Sequence, residues 1–226
     1  MKKVITISSI LGLVILGGLY FKQKYHAQKP NPTEPQAGIS TSIDSKVIKD
    51  GDLIFQVSLS AQSKPIQLAT KSKYSHCGIV YRESGKFYVF EAVQPVKTTP
   101  LGEWIARGEN GHYVVKRLKN ADQILTPEVL KKMKAVGGKL KGKNYDLTFE
   151  WNDDRIYCSE LIWKVYQRAT GIEIGKLETL GGFDLTSEIV KQKLYERYGN
   201  NIPKDETVIS PAALYNSELL VTIMSN

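Results

Sequence analysis

Short apolar runs rich in β-branched and aromatic residues recur along the chain between clusters of turn residues. They are GDLIFQVS (51–58), SHCGIVYR (75–82), FYVFEAV (87–93) and HYVVKRL (112–118). Each reads as a β strand. ESGK (83–86) has turn chemistry, so the second and third runs form a hairpin. With the turn centred on Ser84-Gly85, Glu83 opposes Lys86 and His76 opposes Val93. Other segments carry helical spacing. SAQSKPIQLAT (60–70) reads as a loop and short helix, and TPLGEWIARG (99–108) as a short helix ended by Gly108. TPEVLKKMKAVGG (126–138) is a helix with Thr126 as cap, Pro127 in the first turn and an apolar stripe of Val129, Leu130, Met133 and Val136. Gly137 and Gly138 are expected to stop it. CSELIWKVYQRATG (158–171) places Leu161, Ile162, Val165 and Tyr166 on one face and ends at Gly171. LTSEIVKQKLYERYG (185–199) is another helix, SPAALYNS (210–217) opens with a Ser-Pro start, and LLVTI (219–223) closes the sheet. Strands that come as hairpins, with helices before and after, predict an α+β domain.

The N-terminus differs from all of this. Lys2 and Lys3 precede an apolar stretch of 18 residues, Val4–Phe21, closed by Lys22. That is long for a signal-peptide core and just enough to span a bilayer. Ala27 has Tyr25 two positions before it, which makes a poor cleavage site, and no cysteine follows to carry a lipid. Residues 1–24 are therefore expected to be an uncleaved membrane anchor, with a cleaved signal and a secreted domain as the alternative. Either way the domain is expected outside the cytoplasm, periplasmic or extracellular. HAQKPNPTEPQAGISTS (26–42), with three prolines, predicts a disordered tether over 25–45, and the globular domain spans 46–226.

Charge and cysteine content narrow the chemistry. The net charge is +8, and residues 1–50 hold seven lysines against three acids. The rest of the positive charge is spread thinly, so nucleic acid is not an expected partner. Cys77 and Cys158 are the only cysteines, which excludes a disulfide framework and a four-cysteine metal site. Neither a metal nor a cofactor is expected.

His76 and Cys77 are adjacent, and adjacent side chains on a strand point to opposite faces. They form no dyad, and Cys77 is expected to pack on the far face as a small apolar residue. Cys158 opens an amphipathic helix, where free N–H groups and the positive dipole end favour a thiolate and suit an oxyanion. Such a nucleophile needs a base. Of the three histidines, His26 lies in the tether and His112 follows an exposed Glu-Asn-Gly turn, which leaves His76. Glu91 is two residues from Val93, hence on the same face as His76 and within diagonal reach. An acid amid FYVFEAV is costly unless it is paired. Cys158, His76 and Glu91 are thus the candidate nucleophile, base and orienting acid. A redox role would require Cys77 and Cys158 to meet, which the strand-face argument disfavours.

These residues resemble the NlpC-type cell-wall peptidases of the papain-like thiol superfamily. GDLIF (51–55), SHCGIV (75–80), VFEAV (89–93), GKNYD (142–146) and YCSELIW (157–163) stand where that family has its recurrent motifs. Here the cysteine helix follows the strands, an order that resembles the circularly permuted branch, the YiiX/YaeF-like papain-like amidases. The resemblance implies a permuted papain-like fold, an antiparallel sheet packed against helices, and covers roughly residues 46–222. It matches Cys158 to the nucleophile and His76 to the base, with Glu91 where a histidine is common. Tyr145 matches a tyrosine beside the thiol, and Tyr145 and Ser159 are the candidate oxyanion or substrate contacts. Asp52 reads as structural, and Asp146 and Tyr157 have no firm role. The implied activity is amide hydrolysis through an acyl-enzyme by a cysteine peptidase or amidase, acting on a cell-envelope peptide or an N-acyl amide. A lipid acyl hydrolase or acyltransferase, and a non-catalytic tethered binding module, are the alternatives.

Overall fold

Both central residues of the turn between Glu83 and Lys86 lie at positive φ, 48° at Ser84 and 81° at Gly85. That backbone twist matches the twist of flanking strands and closes a two-residue hairpin. It sets Glu83 opposite Lys86 and Ile79 opposite Phe90, the register read from the sequence. The structure, a computed structural model, describes residues 47–226. The anchor expected over 1–24 and the tether over 25–45 lie outside the described residues. Among the described residues no helix is long and apolar enough to cross a membrane.

In chain order the elements are β1 (Leu53–Ser58), α1 (Ser63–Thr70), β2 (His76–Glu83), β3 (Lys86–Glu91), β4 (Lys97–Pro100), α2 (Leu101–Ala106), β5 (Gly108–Leu118), α3 (Ala121–Ile124), α4 (Pro127–Leu140), β6 (Asn144–Tyr145), β7 (Arg155–Ile156), α5 (Cys158–Thr170), β8 (Glu178–Thr179), α6 (Glu188–Tyr198), β9 (Thr207–Val208), α7 (Pro211–Tyr215) and β10 (Leu220–Ser225). Six strands form one sheet in the order β10-β5-β1-β2-β3-β4, antiparallel throughout. Leu53, Phe55, Cys77, Ile79, Tyr81 and Phe90 point to one face, where they share a buried core with Met133 of α4 and Leu161, Ile162 and Val165 of α5. Trp104 and Ile105 of α2 are buried too, and α2 packs against β3, β4 and β5.

Two readings fail, and both turn on glycine. The helix expected over 99–108 is only Leu101–Ala106, because Lys97–Pro100 is extended and pairs with β3. Gly108 does not end that helix but opens β5; a Cβ there would lie 2.3 Å from Gln56 Oε1. Gly137 and Gly138 do not stop α4, which continues to Leu140. A Cβ on Gly137 would come within 2.9 Å of the Phe90 ring, so this glycine lets the helix approach the sheet. Gly171 does end α5, at φ 80°.

Gly78 lies within β2, facing β3, and a Cβ there would meet Val89 Cγ1 at 2.3 Å and the Phe90 carbonyl at 3.0 Å. Gly78→Ala is expected to destabilise the fold by about 1–3 kcal/mol, the usual cost of overpacking. Gly138 has open space around it inside a helix, so Gly138→Ala is expected to stabilise by about 0.5–1 kcal/mol. Denaturant unfolding of both variants checks the pair; a destabilised Gly138→Ala would mean that the glycine is a true helix stop.

Candidate active site

Glu91 ends β3 and is fully buried. Its Oε2 accepts from His76 Nε2 at 2.6 Å and Trp104 Nε1 at 2.9 Å. Its Oε1 accepts from Thr99 Oγ1 at 2.6 Å and from Arg107 Nη2. Four donors converge on one carboxylate, which is how a charge is held in an apolar sheet. Burial alone would raise its pKa. Hydrogen bonds from His76 and Thr99, with the charges of His76 and Arg107, hold it below the usual carboxylate range. Thr99, Trp104 and Arg107 went unnoticed in the sequence, because their segment read as one helix with no target.

His76 opens β2, is nearly buried, and stacks on Trp104 with centroids 5.8 Å apart and planes 26° from parallel. With Nε2 engaged by Glu91, Nδ1 is left for the thiol. Burial works against an imidazolium, but hydrogen bonding and negative charge from Cys158 and Glu91 overcome it and raise the pKa to about 9. His112 is turned elsewhere, its Nδ1 lying 2.7 Å from the Asn226 carbonyl. His26 lies outside the described residues.

Cys158 is the first residue of α5 and is buried. Its pKa lies well below the ordinary thiol range. The first cause is the Cys77 thiol, which donates toward the sulfur; burial opposes the shift, and the hydrogen bond and charge of His76 add to it, as does the Cys77 backbone N–H. Cys77 itself is pushed well up by burial and by the neighbouring Cys158, so it stays protonated. The expectation that strand parity keeps the two cysteines apart is corrected here. Parity does send Cys77 to the face opposite His76, but α5 packs on that face. Both thiols are free.

Around this centre the other candidates divide. The Tyr145 hydroxyl faces Cys158 and accepts from Gln62 Nε2 at 2.8 Å. The Ser159 hydroxyl donates to the Ile209 carbonyl at 2.7 Å, so it ties α5 to the 209–210 segment. Asp52 is structural: both its oxygens accept from Arg117 at 2.7 Å. Asp146 is buried and accepts from the backbone N–H groups of Thr148 and Glu150 at 2.8 and 2.6 Å, which folds the loop ahead of β7. The Tyr157 hydroxyl accepts from Ile209 N at 3.1 Å. Glu160, not singled out in the sequence, reaches back to the Tyr157 N–H at 3.3 Å and pairs with Lys164 at 2.7 Å; burial pushes its pKa to about 8.

An apolar cleft opens beside Cys158. Ile66, Phe149, Leu180, Phe183, Val190 and Leu194 line it, together with Tyr145 and Cys158. It lies between α1, α6 and the start of α5, and its walls were legible in the sequence only as scattered apolar residues. Among the described residues no group of three or more His, Cys, Asp or Glu is placed to hold a metal ion.

Comparison with known proteins gives concordant results. A family model described as "Permuted papain-like amidase enzyme, YaeF/YiiX, C92 family" matches residues 47–224. The chain is 51% identical over 173 residues to the uncharacterized protein YiiX of Escherichia coli K12, covering 76% of this chain and 84% of that one. It is also similar to a solved structure titled as that of metalloprotein yiiX from Escherichia coli O157:H7. There the TM-score is 0.76 at 50% identity, covering 79% of this chain and 97% of the other.

The two sulfurs provide a direct test. Alkylation followed by mass spectrometry should modify Cys158 rapidly near neutral pH and leave Cys77 untouched. His76→Ala should slow Cys158 at pH 7 by about tenfold or more, since one pKa unit is a factor of ten in thiolate. A Cys158 that reacts only above about pH 8.5, as a free thiol does, would contradict the ion pair.

Proposed function

This chain belongs to the permuted papain-like amidase family, and from that premise we propose that Cys158, His76 and Glu91 hydrolyse an amide whose acyl part is apolar. Amide hydrolysis by a cysteine enzyme is the activity of the family; the triad and the substrate are our reading. The observation that carries the triad is the 2.6 Å bond between His76 and a fully buried Glu91, with Cys158 facing the same imidazole from a helix N-terminus.

The Cys158 thiolate attacks the amide carbon, and the carbonyl electrons move to oxygen. The N–H groups of Cys158 and Ser159, in the first turn of α5 and free of helical partners, face that charge. The C–N bond then breaks as His76 gives its proton to the leaving amine. Water, deprotonated by His76, releases the acyl group and restores the thiolate. Glu91 keeps the ring oriented and stabilises its charged form.

The apolar cleft beside Cys158 favours an N-acyl amide over a cell-wall peptide, whose polar backbone would be left unpaired against Phe183, Leu185 and Leu194. A lipid ester or thioester would fit the same wall, with the acyl-enzyme in common. The Val4–Phe21 stretch supports a membrane anchor that holds the domain outside the cytoplasm, near such lipids.

Long-chain N-acyl amides should be cleaved faster than peptidoglycan fragments, and Cys158→Ala should abolish turnover without lowering the melting temperature. Undiminished activity in that variant would reject the reading. With His76 at about 9, kcat/KM should rise as Cys158 ionises below the ordinary thiol range, then fall as pH passes about 9 and the imidazolium is lost. Glu91→Gln removes one cause of the raised pKa, so its upper limb should move toward neutral.

A further inference from the structure

Arg197, in the last turn of α6, lies over the Phe149 ring at 4.8 Å and reaches the cleft that Cys158 lines. Its Nη2 donates to Gln62 Oε1 at 2.9 Å. Gln62 sits just ahead of α1, and its Nε2 donates to Tyr145 Oη at 2.8 Å. These two bonds have only one consistent direction. A guanidinium has donors and no acceptor, so the Gln62 atom that faces it must be the carbonyl oxygen. The amide must then present its NH2 to Tyr145, whose oxygen must accept. The single phenolic hydrogen is therefore left for the remaining neighbour, the Cys158 sulfur or an oxygen beside it.

We propose that Gln62 and Arg197 are positioning residues that turn the Tyr145 O–H toward the reacting centre and so make it an oxyanion donor. The inference rests on the thiol-hydrolase reading above. When the C–S bond forms and the carbonyl pair moves to oxygen, Tyr145 donates to that oxygen without giving up its proton. When the intermediate collapses, the amine takes its proton from His76, and Tyr145 is unchanged. The Arg197 charge polarises the Gln62 amide and strengthens it as a donor, as neighbouring bonds in a chain do. The phenol becomes a stronger donor in turn. No feature of the sequence connects these residues, since Gln62 and Arg197 are 135 positions apart.

The discriminating variant is Gln62→Glu. It keeps the side-chain volume and an even better partner for Arg197. A carboxylate, however, accepts from both neighbours and turns the Tyr145 hydrogen away from the sulfur. The relay predicts that kcat for an N-acyl amide falls about as far as in Tyr145→Phe, on the order of 10²–10³, the usual effect of losing one oxyanion donor. KM should stay nearly constant. Gln62→Glu added to Tyr145→Phe should cost nothing further, because the hydrogen it redirects is already gone. A further loss in the double variant would mean that the new charge acts directly, and would overturn the relay. So would a Gln62→Glu enzyme of wild-type kcat.

Should Gln62→Glu fail to fold, Arg197→Met serves, since it keeps an apolar stem over Phe149 and frees Gln62 to flip. It should lower kcat by about tenfold at constant KM, with no such loss in the Tyr145→Phe background. A raised KM at constant kcat would make Arg197 a substrate contact and overturn the relay. Cys158→Ala, measured alongside, separates the two levels: turnover without the thiol rejects the hydrolase reading itself. A dead Cys158→Ala beside a fully active Gln62→Glu rejects the relay alone.

Discussion

A carboxylate buried in a sheet must be fully partnered or it will not stay ionised, and Glu91 sets that condition on its surroundings. Its two oxygens draw in one residue from β2, one from β4, and two from α2 and the residue that follows it. The strand Lys97–Pro100 and the short helix after it are thereby tied to the hairpin. Leaving this buried acid without its partners would cost about 3–5 kcal/mol. The same bonds that hold the edge of the sheet together also hold the imidazole of His76 in one plane, against Trp104. Stability and orientation here are one network.

Cys158 depends on the other face of the same strand. His76 and Cys77 diverge, as neighbours on a strand must, yet both bear on the Cys158 sulfur. His76 does so from the first residue of β2. Cys77 does so from within the core, where α5 packs on the sheet. The thiolate thus has a charged partner on one side and a neutral thiol on the other. Burial keeps Cys77 protonated, so it serves as a donor and does not compete as a nucleophile.

Beyond the sulfur the surroundings change character. The cleft between α1 and α6 is walled by Ile66, Leu180, Phe183, Val190 and Leu194, and little there can pair with a peptide backbone. Its polar lining includes the chain from Arg197 through Gln62 to Tyr145. In our reading, an acyl amide with its carbonyl at Cys158 and Tyr145 would lay its hydrocarbon against that wall. Our proposal of an apolar acyl group rests on this division of polar and apolar groups more than on any single residue.

The sequence by itself determined the elements and the parity. Apolar runs between turn residues located β1, β2, β3 and β5, and the Ser84-Gly85 turn fixed the register that puts Glu91 on the His76 face. The helix start at Cys158 was legible from the stripe Leu161, Ile162, Val165 and Tyr166 and the Gly171 stop. These are local properties, set by backbone geometry and side-chain period. Whether a glycine ends a helix or lets it touch a sheet was not legible, since Gly137 is explained only by the Phe90 ring facing it. Nor was the meeting of Cys77 with Cys158, because parity says which face a residue uses and not what packs there. Thr99, Trp104, Arg107, Gln62 and Arg197 likewise gained their roles only from elements far apart in the chain. Hydrogen-bond partners at such separations are chosen by packing, and only the tertiary structure decided it.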